Sequence, residues 1–163
     1  MVQQPPAAIV GIGATEFSKF SGRSELRLAL EACTAALADA GVAPRDVDGL
    51  VTFGMDNNDE QAVARNLGID ALTFFARTSA GGGGGPGTVT LASMAIATGK
   101  ASTVICYRAM NERSQQRFGQ PSGYGGGPVT SFAIDTSWTA PFGMATPASL
   151  MAQSARRYIF RRQ

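Results

Sequence analysis

LTFFARTSAGGGGGPGTVTLASMAIATGKASTVICY, residues 72–107, holds a strand, a glycine turn, a helix and a second strand in one run. Leu72 to Ala76 is short, apolar and aromatic, which reads as a strand, with the Phe74–Phe75 pair sending one ring to each face. Five glycines, Gly81 to Gly85, follow. Pro86 suits the first position of a helix, where its missing N–H costs nothing. The helix then runs from Thr88 to about Thr98. Val89, Ala92, Met94, Ala95 and Ile96 form its packing set, and Gly99 ends it. Thr103 to Tyr107 is the next strand.

The pattern continues upstream. Ala7 to Val10 is a short apolar run closed by Gly11-Ile12-Gly13, a strand followed by a turn. Ser24 can cap a helix reaching about Ala40. Its Leu26, Leu30, Cys33 and Leu37 fall at i, i+4, i+7 and i+11 on one face. Gly41 stands where a left-handed cap is wanted. Leu50 to Phe53 is another strand. Asp59 or Glu60 starts a short helix through Ala62, Val63 and Leu67, ended by Gly68. Alternating strands and helices predict an α/β fold with crossover connections. From Asn111 the pattern breaks into a loop, 111–145, rich in Gly, Ser, Gln and Pro. A loop that long in a compact domain points to a pocket or an interface. Its Tyr124, Phe132, Trp138 and Phe142 suit an acyl pocket or a second subunit equally well. Thr146-Pro147 opens a last helix to about Tyr158. The whole chain, 1–163, is expected to form one domain.

Composition narrows the function. Of 163 residues, 44% are hydrophobic and 16% charged, which is globular composition. A net charge of +2 gives no case for nucleic acid. The late cluster Arg156, Arg157, Arg161 and Arg162 reads as a solvated helix face. No apolar run approaches the ~20 residues that span a bilayer, and the start lacks a signal core. Two lone cysteines, Cys33 and Cys106, make neither a disulfide framework nor a metal site, and the reducing cytoplasm is the expected compartment. Cys33 reads as core packing, and Cys106, inside an apolar strand, as buried and inert. There is no histidine, so the commonest base near neutral pH is missing.

Two nucleotide motifs fail on inspection. Gly11-Ile12-Gly13 needs a third small residue three positions on, and Glu16 stands there, where it would repel a pyrophosphate. Gly82 and Gly87 have phosphate-loop spacing, but Thr88 holds the lysine position. The glycine run still offers backbone N–H groups at a helix start, suited to an anion or oxyanion. It also allows close approach of a ligand. Asp56, Asp59 and Glu60 cluster in a polar stretch. General acid–base work is one reading; a solvated loop with a helix cap is the one the setting favours.

Several segments together resemble a known family. AAIVGIGATEFSK (7–19), ALADAGVAPRDVDGLV (36–51), ASMAIATGKASTVICYRAMNERS (92–114) and WTAPFGMATPASLMAQSARRY (138–158) are similar to the thiolase-like lipid-transfer proteins related to sterol carrier protein thiolases. The resemblance implies the N-terminal half of a thiolase-like fold, a mixed sheet with helices on its faces. Thiolases carry a nucleophilic cysteine at the start of the third helix, and alignment back from Thr88-Val89 puts Gly82 in its place. Covalent thiolase chemistry is therefore in doubt. Loss of the nucleophile resembles the retro-aldolase branch, which cleaves β-hydroxyacyl-CoA side chains, notably of steroids. The resemblance further implies a homodimer and a DUF35-type partner, a zinc ribbon plus an OB fold. It implies no metal in this chain and no cofactor beyond the coenzyme A thioester as substrate. Gly82, Gly83, Gly84, Met110, Trp138 and Met144 are the implied substrate-binding residues, with no catalytic residue assigned. The other readings are a thiolase-type acyltransferase and a non-catalytic acyl-CoA-binding subunit. The chain alone is expected to be inactive, truncated at Gln163 and prone to association through exposed apolar surface.

Overall fold

The structure, a computed structural model, describes residues 7–54, 56, 58–79, 82–111, 138–144 and 146–162. The chain divides into two units, Met1–Met110 and Asn111–Gln163. In the first unit three strands form a parallel sheet: β1 (Gly49–Phe53), β2 (Phe74–Thr78) and β3 (Val104–Tyr107), in the order β2-β1-β3. Gly49 lies opposite Phe74 on one side and Val104 on the other. β1 is buried along its whole length, as a central parallel strand covered on both faces must be.

Helices connect the strands. α1 (Glu25–Ala40) starts at Ser24, whose side chain accepts from Arg27 N–H, and ends at Gly41 with φ 65°. α2 (Glu60–Leu67) is capped by the Asp59 carboxylate, which accepts from Gln61 N–H and Ala62 N–H, and closes at Gly68 with φ 80°. Both pairs of caps match the sequence expectation. α1 and α2 cover one face of the sheet. Leu28, Cys33, Leu37, Val47, Leu50, Val63, Ile105 and Tyr107 form the core beneath them. Leu26 and Leu30 are only partly buried, because the buried stripe of α1 centres on Leu28 and Ala29.

α3 (Gly84–Ala97) lies on the other face, against all three strands. It begins two residues before Pro86, with Gly83 as its cap, so the proline sits in the first turn and not at its first position. Its buried residues are Gly84, Thr88, Ala92 and Ala95, whereas Val89 and Met94 are exposed. The small side chains let the helix lie close to the sheet, and that stripe, not the larger apolar set, faces inward.

The expected strand at Ala7–Val10 does not form. Residues 7–13 have no ladder partner among the described residues, and Ile9, Val10 and Ile12 are exposed. The segment is instead held to α1. A Cβ on Gly11 or Gly13 would fall 2.4 Å from Ala36 O or 2.2 Å from Ala32 O. Ile12 N–H donates to Asp39 Oδ2 at 2.9 Å. A cavity of about 570 Å³, lined among others by Val10, Ile12, Ile96, Val104 and Cys106, separates the segment from the outer edge of β3.

In the second unit, Ala140–Phe142 form a 3-10 turn, and Pro147–Phe160 form a helix capped by Thr146 and Ser149 in reciprocal hydrogen bonds. Most of loop 111–145, with Tyr124 and Phe132, lies outside the described residues. No described helix is long and apolar enough to cross a membrane.

Candidate functional site

In an open parallel sheet, ligands gather at the carboxyl ends of the strands. Here that end carries Phe53 from β1, Thr78 from β2, Arg108 after β3 and the glycine head of α3. Thr78 Oγ1 donates to Gly84 O at 2.9 Å, and Thr88 Oγ1 donates to Gly85 O at 2.7 Å. The first bond ties the first turn of α3 to β2, and the second lies within the turn.

The glycines differ from one another. A Cβ on Gly84 would fall 2.2 Å from Phe53 Cε2 and 2.6 Å from Ser79 O, so packing alone requires glycine there. Gly82, Gly83 and Gly85 would place a Cβ in open space. None of the three has a positive φ. Neither conformation nor the unit's own packing therefore requires them to be bare. What their bareness provides is an open approach to the head of a helix, where the first N–H groups lack helical acceptors.

The approach has one flank of defined structure. The Arg108 guanidinium lies 4.8 Å from the centre of the Phe53 ring, and its Nη2 is 2.8 Å from Met110 Sδ. Gly82, Gly83, Gly84 and Met110 belong to this unit. Trp138, exposed, and Met144, half-buried with its N–H donating to Thr139 O at 3.2 Å, belong to the second. None of Gly82–Gly84 lines the large cavity beside β3.

A buried polar network underlies this end of the sheet. Asp56, read in the sequence as part of a solvated loop, is wholly buried. Its Oδ1 accepts from Asn58 N–H and Asn58 Nδ2, both at 2.8 Å, and its Oδ2 accepts from Ala109 N–H at 2.6 Å. Burial pushes its pKa above the ordinary carboxylate value, against the lowering effect of these hydrogen bonds and of Arg77. Arg77, from β2, donates to Asp56 O at 2.6 Å and to Asn58 O at 3.1 Å, and pairs with Glu60 at 2.6 Å. Asp59 is the helix cap that the sequence suggested, and Glu60 is an ion-pair partner. The acidic cluster is thus a brace, with no carboxylate left free for proton transfer. Asp56 escaped the sequence reading because its acceptor role depends on an N–H 53 positions away.

The cysteines separate as well. Cys33 is 2% exposed, and burial, with a smaller effect from Asp56, pushes its thiol up to about 12. Cys106 departs from the buried reading: it is exposed. Cys106 is among the residues that line the cavity beside β3. The thiol is still surrounded closely enough for desolvation to raise its pKa, and it contacts Thr88 O at 3.5 Å.

Comparison with known proteins follows the same geometry. The solved aldolase Ltp2–ChsH2(DUF35) superposes over 99% of the chain with a TM-score of 0.70 and 53% identity, which is 40% of that protein's chain. A monomeric SCP2-thiolase-like protein from Mycobacterium smegmatis superposes over 60% with a TM-score of 0.51 and 30% identity. The fold is thiolase-like. Among the described residues its sheet is parallel throughout, so the antiparallel member of the expected mixed sheet is not among them. Two curated proteins are similar to this chain in sequence. The 17-hydroxy-3-oxo-4-pregnene-20-carboxyl-CoA lyase of Mycobacterium tuberculosis is 58% identical over 153 residues. The steroid side-chain-cleaving aldolase of Thermomonospora curvata is 57% identical over 155 residues. Each match covers 94% of this chain, which spans about two fifths of the relatives' lengths, 40% and 39%. No protein-family model matches.

Proposed function

We propose that this chain supplies the N-terminal half of a thiolase-like subunit that cleaves a carbon–carbon bond of a β-hydroxyacyl-CoA by a retro-aldol step, with a steroid side chain as the acyl group. The observation that carries the reading is Gly82. The resemblance assigns it to the position of the thiolase nucleophile; it bears no reactive group, and a Cβ there would meet open space. The similarity to a carboxyl-CoA lyase and a steroid side-chain-cleaving aldolase supports the substrate class.

The chemistry asks little of this half. A base removes the proton of the β-hydroxyl, and the Cα–Cβ bond breaks as the carbonyl forms. The bonding pair passes to Cα as an enolate of the thioester, which is then protonated. A ketone and a shortened acyl-CoA leave. No covalent intermediate is needed. The N–H groups of Gly82 to Gly84 and the positive end of α3 suit the enolate oxygen. The absence of side chains leaves room for a ring system. This chain has no histidine, and among the described residues the Asp56, Asp59 and Glu60 cluster is committed to bracing, so the reading assigns the base to the other half of the subunit. A DUF35-type partner, as in the Ltp2–ChsH2 complex, a homodimer and a cytoplasmic site complete the proposal.

The test is turnover by the full-length protein with a DUF35-type partner, using 17-hydroxy-3-oxo-4-pregnene-20-carboxyl-CoA and reading both products by mass spectrometry. Equal amounts of ketone and shortened acyl-CoA are expected. Gly82→Leu, whose Cβ would meet open space, should abolish turnover without loss of folding. A second reading, a non-catalytic acyl-CoA-binding subunit, is favoured by the missing histidine. Binding without turnover would establish it. Thioester exchange onto free coenzyme A would instead identify an acyltransferase.

A further inference from the structure

The hydrogen-bonded ladder between β1 and β3 ends at Thr52 and Tyr107. Beyond it, one side chain carries the connection onward. The Asp56 carboxylate, from the loop after β1, takes the N–H of Ala109, two residues past β3. Its two oxygens face three donors and no acceptor among the described residues. An asparagine there would keep one oxygen and set its NH2 against a donor, so the site selects a carboxylate.

The residues on either side of Ala109 form the flank of the helix head. Arg108 lies over Phe53, and Phe53 is the ring whose edge fills the space a Cβ on Gly84 would need. Met110 Sδ meets Arg108 Nη2. Arg108 has no carboxylate within ion-pair distance among the described residues. Arg108 and Met110 therefore flank the residue that this buried hydrogen bond holds, beside Phe53, which the ladder to β2 fixes. We infer that Asp56 is a positioning residue for the acyl-CoA site: by holding Ala109 N–H it sets Arg108 and Met110 beside the head of α3, and so shapes the space available to a bulky acyl group. This rests on the proposed acyl-CoA function. Asp56 itself touches no ligand.

The experiment compares wild type, Asp56→Asn and Arg108→Gln in the full-length protein with its DUF35-type partner. Three quantities are read: exchange of the Ala109 amide, the Kd for the steroid β-hydroxyacyl-CoA, and kcat and KM for that substrate against a short-chain β-hydroxyacyl-CoA. Asp56→Asn should speed Ala109 exchange and raise KM for the steroid substrate about tenfold or more, the scale of a lost charge-assisted hydrogen bond. The short-chain substrate and kcat should change much less. Arg108→Gln, which leaves the core intact, should reproduce the KM effect with Ala109 exchange unchanged, and it decides the matter if Asp56→Asn does not fold. Equal losses on both substrates, or a steroid KM unmoved in both variants, would overturn the inference while leaving an active wild type as evidence for the function. A wild type that binds the thioester without turning it over fails the functional reading alone, and Kd then replaces KM as the readout. A wild type that neither binds nor turns over overturns both.

Discussion

Gly84 and Gly85 are adjacent, and the structure predicts opposite responses to the same added methyl. At Gly84 the new Cβ would sit 2.2 Å from Phe53 Cε2 and 2.6 Å from Ser79 O. Ordinary contact begins near ~3.4 Å, so the ring, the strand end or the helix must give by about an ångström. Phe53 cannot swing outward, since it is buried and Arg108 lies over it. Overpacking of this kind costs about 1–3 kcal/mol. The stiffer unfolded chain returns about 0.4–1 kcal/mol, which leaves a net loss of up to about 2.6 kcal/mol for Gly84→Ala, toward the upper end for an approach this close. At Gly85 no atom lies within 4 Å, and only the gain remains. For a chain of this size each kcal/mol moves Tm by about 2–4 °C. Gly84→Ala should thus lower Tm by several degrees, and Gly85→Ala should raise it slightly. Thermal melts with a denaturant series read both changes. Equal shifts, or a stabilised Gly84→Ala, would refute the claim that packing against Phe53 fixes this glycine.

Asp48 accepts from Ser102 N–H and Thr103 N–H, each at 2.9 Å, and so anchors the start of β3. Asp48→Ala should cost about 1–3 kcal/mol in denaturant unfolding and speed amide exchange at 102–105. Asp56 and Glu31 should give pH profiles of opposite sign. The folded pKa of Asp56 is raised, so its contribution is largest below the unfolded value and falls as pH climbs toward the folded one. Glu31, lowered first by its hydrogen bond from Arg27, contributes above the unfolded value and loses that contribution as pH drops. Stability-versus-pH curves of Asp56→Asn and Glu31→Gln should flatten opposite slopes. A thiol reagent should modify Cys106 in the folded chain and reach Cys33 only on unfolding, given its burial and a thiol at about 12. Mass mapping of the labelled peptides checks the order.

The elements bounded by local chemistry were legible from sequence. Ser24 and Gly41, Asp59 and Gly68, and Thr146-Pro147 set helix ends through their own side chains or φ, so their neighbours in sequence suffice. Long-range partners were not legible. Ala7–Val10 has the composition of a strand, but a strand needs a partner edge, and the glycines that hold this run to α1 are read only against Ala32 and Ala36. Val89 and Met94 look like core by hydropathy, yet the close approach demanded by Gly84 turns the smaller face inward. At the site, the glycine run announced an open helix head. Only the packing around each glycine separated Gly84, which the fold requires, from Gly82, Gly83 and Gly85, which it does not.

The narrow stripe under α3 also makes the helix a lever. Fourteen residues span roughly 21 Å at 1.5 Å per residue, and the contact line runs from Gly84 at one end to Ala95 near the other. An added methylene at Ala92 or Ala95 would lift that end by about 1 Å, tilting the axis by roughly 3° about the Gly84 contact. The head is the fulcrum, so such an enlargement moves the far end of α3 and leaves the Gly84 contact with Phe53 nearly in place. Conservative enlargements three turns away should therefore register in stability and spare the geometry of the glycine head.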